Sequence, residues 1–138
     1  MQRILISLVC IIGFLSVTAA ADVVIIAHKD VPETTLSQKD LQEIFLSKRV
    51  QWKDNTTIHH VTVREPSLHK AFLRQYLKKS SAKWNAYWKR MVFTGNGTPP
   101  KRFDTQKELL EYVANTAGAV GYIDAEIVTE NVNIIVVR

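Results

Sequence analysis

Strand-like apolar runs alternate with helix-like ones along almost the whole chain, and this alternation restricts the fold more than any single motif. DVVIIAH (22–28) is short, apolar and rich in β-branched residues, the pattern of a buried strand. Lys29 to Thr35 contains Pro32 and reads as loop. Ser37, with the acid Asp40 three residues on, opens a helix that carries Leu41, Ile44 and Phe45 on one face and ends near Leu46. Residues 47–57 are polar and turn-rich, and only Trp52 among them is suited to reach the core. IHHVTV (58–63) reads as a second strand. Pro66 then starts a helix to about residue 78, with Leu68, Phe72 and Tyr76 four residues apart.

Ser80 or Ser81 caps a third helix through Trp84, Trp88 and Met91. FTGNGTPPKRF (93–103) reads as loop, its glycines permitting positive φ and Pro99-Pro100 stiffening it. Thr105 and Glu108 form a capping box ahead of Leu109, Leu110, Tyr112 and Val113, and the helix breaks at 115–118. AVGYI (119–123) and NIIVV (133–137) are strands, joined by a short helical connector around 125–129. Gly118 serves as a helix stop and Gly121 allows a close approach at the strand. The order predicts one α/β domain: a sheet with parallel pairs, its faces covered by crossover helices.

Residues 1–21 stand apart from this pattern. Arg3, the apolar run 4–15 and Ala19-Ala20-Ala21 have the three parts of a cleavable export signal. The apolar run is shorter than the roughly 20 residues of a spanning helix, so no stable membrane insertion is expected after cleavage. Val9 before Cys10 is too large for a lipid-attachment site. Cleavage leaves 22–138 as the folded domain, and the formal charge drops from +5 to +4 with Arg3. The chain's one cysteine leaves with the signal, so a periplasmic domain held by its core rather than by disulfides is expected.

The mild positive charge favours anionic ligands or an acidic partner surface. Lys78, Lys79, Lys83, Lys89 and Arg90, interleaved with Trp84, Tyr87 and Trp88, have a nucleic-acid flavour. Solvated lysines over a helix whose aromatics are core explain them better, and no nucleic-acid partner is expected. His59 and His60 point to opposite sides of a strand, so they cannot share a metal, and no cofactor is expected. No nucleophile–base–acid order supports an enzyme; Ser67 with His69 is the only hydrolase alternative.

Several segments together resemble the phosphate-specific ABC-transporter substrate-binding proteins. LSQKDLQEIFLSKRVQW (36–52) is similar to that family's helix, Ile-Phe pair, short basic turn and Trp. VREPSLHKAF (63–72) corresponds to its Arg-bearing strand and Ser-Gly-Thr helix start. FTGNGTPP (93–100) and TAGAVGYID (116–124) resemble its Gly-rich loop and its Gly-Tyr ending. The resemblance runs from about 23 to 137 and implies a type II periplasmic-binding-protein-like domain, a mixed sheet flanked by helices. The mature length fits one lobe rather than the family's two.

The resemblance also implies weak binding of phosphate or a similar oxyanion, associated with phosphate transport. Arg64, Ser67, Leu68 and His69, with Thr94, Gly95, Gly97 and Thr98, are the candidate anion-binding residues. Leu68 and His69 stand where the family has Gly-Thr, which removes a hydroxyl and narrows the approach, and Pro66 removes one N–H. Two alternatives follow. Pro66 and Ser67 simply begin a helix while Arg64 pairs with a nearby acid, or the lobe has become an interaction module for a second copy or an envelope protein.

Overall fold

The computed structural model describes residues 22–138; the export signal expected at 1–21 and the periplasmic location that rests on it lie outside them. Six strands form one mixed sheet: β1 (Val23–His28), β2 (Thr35–Leu36), β3 (His59–Val63), β4 (Lys101–Phe103), β5 (Ala119–Asp124) and β6 (Val132–Val137). Their spatial order is β2-β6-β1-β5-β3-β4. The parallel pairs expected from the sequence occur at β2–β6, β3–β5 and β3–β4. The central strand β1 differs, running antiparallel to both β5 and β6.

Two strands were not expected, β4 lying in a segment read as loop and β2 starting at the end of another. β2 is only two residues long, and two of β4's three residues are exposed cations, so neither has a legible alternation. Both are recruited by a neighbouring strand rather than by their own pattern.

The helices are α1 (Gln38–Phe45), α2 (Pro66–Phe72), α3 (Ser81–Phe93) and α4 (Gln106–Asn115). Three caps match their sequence signals: Ser37 Oγ accepts from Asp40 N–H, Ser80 Oγ from Lys83 N–H and Thr105 Oγ1 from Glu108 N–H. The expected helix to 78 is α-helical only through Phe72, then widens into a π-helical turn, Leu73–Leu77. Lys78 ends it with φ +53°, and Lys79 N–H closes back on Leu73 C=O.

Helices α1 to α3 cover one face of the sheet and α4 the other. On the first face Phe72 stacks on Tyr122 at 3.8 Å between ring centroids, and Phe45 packs on Phe72 at 4.8 Å. On the second face α4 lies so close to the sheet that a Cβ at Gly121 would stand 2.8 Å from Leu109 and 3.1 Å from Val61. Gly118 combines φ +78° with a space that Thr57 C=O already fills, so only glycine fits there. Its own carbonyl accepts from Trp52 Nε1, which ties the 47–57 segment into the core as expected.

That segment is held a second time by a buried ion pair. Arg49 reaches both Glu33 oxygens at 2.8 and 2.6 Å, and Lys53 N–H donates to the same carboxylate. Nothing in the spacing of Glu33 and Arg49 announced this contact.

Candidate functional site

Strand β3 directs His60, Thr62 and Arg64 toward the α1–α3 side of the sheet, because alternate residues share a face. Thr62 is in register with Arg102 on β4, so Arg102 joins the same face. Helix α3 crosses this end of the sheet and brings Trp84 and Trp88, both buried, together with exposed Lys89, Arg90, Val92 and Phe93. The loop after α3 returns through Pro99 and Pro100 into β4. The result is an open groove of about 1070 Å³ between α3, the loop and the ends of β3 and β4.

Four cations line this groove, Arg64, Lys89, Arg90 and Arg102, and no carboxylate does. Arg64 Nε lies 3.0 Å from Asp104, but both side chains are largely exposed, so water and salt screen the pair. Arg90 lies over the Tyr87 ring at 5.7 Å. Among the described residues, Lys89, Arg90 and Arg102 form no ion pair. The groove therefore concentrates positive charge that Asp104 neutralises only in part.

Trp84 and Trp88 line its floor and belong to a chain of rings that continues beneath it. His60 stacks on Trp88, Trp88 meets Trp84 edge-on, Trp84 meets His69, and His69 stacks on Tyr122. Burial holds the His60 imidazole down at about 4, helped by the nearby His59. Burial, and then the charge of Arg102, hold His69 down to about 4. Burial pushes the Tyr122 phenol well above its ordinary value. Tyr122 Oη accepts from Val63 N–H, beyond the point where β3 and β5 pair, and shares a second hydrogen bond with His69 Nδ1. The histidine is neutral and fixed in place.

The sequence candidates separate on this framework. Arg64 lines the groove; Ser67 is exposed as the second residue of α2, whose N-cap is Glu65. Leu68 is buried in the core, and His69 turns toward Tyr122 rather than toward Ser67. The residue preceding α2, Glu65, turns its carboxylate to Gln106 N–H at the start of α4. The 63–69 corner is thus a helix start with a paired arginine beside it.

Thr94 ends α3, its hydroxyl donating to Arg90 C=O and accepting from Asn96 Nδ2. That end of a helix carries partial negative charge, which disfavours an anion. Gly95 has the expected positive φ, +70°, whereas Gly97 does not; a Cβ at Gly97 would stand 3.1 Å from Met91 and 3.5 Å from Trp88. Thr98 is exposed in the same loop, next to Pro99. Arg64 and the loop's prolines meet in one groove; Ser67 and Thr94 are not among its lining residues.

Arg102 went unnoticed in the sequence because KRF carries no strand signal. Its only mark was position, a basic residue closely following the glycine–proline loop. Among the described residues, no group of three or more His, Cys, Asp or Glu side chains is placed to hold a metal ion. No helix there is long and apolar enough to cross a membrane.

No family model matches the chain, and no curated protein matches it by sequence. Solved structures do match. A candidate phosphate ABC transporter substrate-binding protein from Clostridium perfringens, crystallised with bound phosphate, is similar with a TM-score of 0.66 at 18% identity. The match covers 83% of this chain and 44% of that one. An ABC-type phosphate transport receptor from Vibrio cholerae gives 0.58 at 17% identity, covering 83% and 45%. PstS from Borrelia burgdorferi gives 0.55 at 16%, covering 84% and 47%.

These likenesses define the architecture: a periplasmic-binding-protein-like lobe, a mixed sheet flanked by helices, as the resemblance implied. The chain spans less than half the length of each of these proteins.

Proposed function

We propose that this protein is a non-enzymatic binding module that takes phosphate or a similar oxyanion in the groove between α3 and the β3–β4 edge. The observation that carries the reading is the set of four cations, Arg64, Lys89, Arg90 and Arg102, around one groove with no lining carboxylate. Guanidinium groups pair with oxyanions through two parallel N–H donors, which suits Arg64 and Arg102 to this role. The groove is open on one side, so the bound anion keeps part of its water and the affinity is modest.

The similar structures are of phosphate-transport proteins, one of them with bound phosphate, and this supports the ligand class. Export to the periplasm and association with a transporter belong to the same reading. Of the original candidates, Arg64 is retained as a direct contact. Ser67, Leu68 and His69 act behind it, positioning the α2 start and the ring floor, and 94–98 shape the loop.

Calorimetric titration with inorganic phosphate tests the reading, using the protein beside Arg64→Ala and Arg102→Ala. Binding in the millimolar range that weakens with added salt, and weakens in both variants, is the expected result. Absence of phosphate, sulfate or related oxyanion binding at millimolar concentration overturns it.

A second reading, the lobe as an interaction module, has one specific observation in its favour. Phe93 is 93% exposed beside exposed Val92 on the groove wall. A free oxyanion has no use for an exposed phenyl ring.

A further inference from the structure

We infer that the groove's preferred occupant is an extended polypeptide segment bearing carboxylates beside large apolar side chains, added as a strand along β4. The inference rests on the groove being an anion site, and it names the carrier of the negative charge.

The first observation is the sheet edge. β4 is the terminal strand of the sheet. Arg64 N–H donates to Phe103 C=O at 2.8 Å, so Phe103 turns its backbone toward β3. A residue's N–H and C=O lie on the same side of a strand, and successive residues alternate. Arg102 therefore turns its N–H and C=O outward to the open edge. An incoming extended chain can pair there, and this is the usual way an exposed edge binds a peptide.

The second observation is what stands above that edge. The Arg102 side chain projects to the α3 side, while Lys101 projects to the other, its Nζ about 5 Å from the Phe103 and Tyr112 rings. A strand laid beside β4 would thus meet a cation on each face of the sheet. On the groove face it would also meet Lys89, Arg64 and an apolar wall of Val92, Phe93, Pro99 and Pro100.

The third observation is the mixture itself. Lys89, Arg90 and Arg102, which form no ion pair among the described residues, match carboxylates, and the exposed phenyl and proline surfaces match apolar side chains. An inorganic anion satisfies the first and leaves the second in water. A peptide with acidic and apolar residues close together satisfies both, and its own backbone groups meet those of Arg102.

The test measures fluorescence anisotropy of a labelled, end-blocked heptapeptide, Glu-Glu-Phe-Asp-Leu-Glu-Glu, with the full protein. Three probes accompany it: its Gln/Asn counterpart, a version N-methylated at alternate residues, and inorganic phosphate. Two variants are compared, Arg102→Ala and Phe93→Ala, both altering exposed side chains. The inference expects saturable peptide binding, with the Gln/Asn and N-methylated probes each weakened about tenfold or more. Phe93→Ala and Arg102→Ala should each weaken the parent peptide by a similar factor.

Phosphate binding without peptide binding overturns this inference and leaves the oxyanion reading standing. Failure of both ligands overturns both. An N-methylated probe that binds as well as its parent rules out strand addition, and a Phe93→Ala protein with unchanged peptide affinity removes the apolar wall from the site. A dimer in sedimentation that Phe93→Ala dissociates makes a second copy of the chain the occupant instead.

Discussion

Two arginine environments in this protein show how the same side chain serves opposite ends. Arg49 is largely buried and meets both oxygens of a buried Glu33, with Lys53 N–H on the same carboxylate. Arg102 is exposed, faces an open groove and forms no ion pair among the described residues. The first arginine has spent its donors on holding two loops to the core. The second makes no ion pair or side-chain hydrogen bond among the described residues, which leaves its donors available. A paired, buried arginine therefore reports on stability, whereas an exposed unpaired one beside other cations reports on what the surface can bind.

Removing each arginine tests that contrast most sharply. Arg49→Ala leaves Glu33 buried without its partner, and a loss of about 3–5 kcal/mol in urea-denaturation stability is expected. Arg102→Ala is expected to change stability by no more than about 0.5 kcal/mol while reducing anion binding. Equal losses in the two variants would erase the distinction.

The aromatic floor under the groove gives a pH-dependent version of the same comparison. His60 and His69 both have imidazoles held down to about 4 in the fold, principally by burial, against about 6.5 when unfolded. Above 6.5 both states carry neutral histidine and the full stability is present. As pH falls from 6.5 through 4, the unfolded chain takes up these protons first and stability declines. Denaturation midpoints measured across this window should fall, and His60→Gln, though weaker overall by loss of its ring stacking, should give a shallower fall.

Smaller effects refine the picture. Trp88 Nε1 is buried and has no acceptor among the described residues. Trp88→Phe keeps an aromatic ring in the floor and removes that donor. Its stability should stay within about 1 kcal/mol of the parent, and a larger loss by thermal denaturation would mean that the indole's extra packing outweighs the removal of that donor.

Asp104→Asn tests the exposed Arg64 pair. Stability should shift by about 1 kcal/mol or less, and phosphate affinity in the calorimeter should rise because Arg64 loses its competitor. Weaker phosphate binding would show that Asp104 positions Arg64 rather than occupying it.

Most of the fold was legible because its signals are local. The caps at Ser37, Ser80 and Thr105 depend on one side chain and a backbone N–H three residues away, and spacing alone reveals them. The glycines were legible for a similar reason, since Gly118 interrupts a helical pattern and Gly121 a strand. β2 and β4 were not, because a two- or three-residue strand borrows its conformation from the neighbour it pairs with.

The candidate site was half legible. Arg64 could be found from its place between a strand and a helix start. Arg102 could not, since its meaning comes from register with Thr62, forty residues earlier in the chain. Thr94 was a candidate anion contact by its place in the glycine loop, and the end of α3 engages its hydroxyl with Arg90 C=O.

The sequence by itself determined the α/β alternation, the helix caps, the glycine positions and the net positive charge, because each is set by neighbours within a few residues or by composition. Only the tertiary structure decided which charges are neutralised and which remain free. Glu33 found Arg49, Arg64 found Asp104, and Arg102, Lys89 and Arg90 were left facing one groove. Pairing between charges distant in the chain depends on where the sheet and helices bring them, and spacing along the chain carries no record of that.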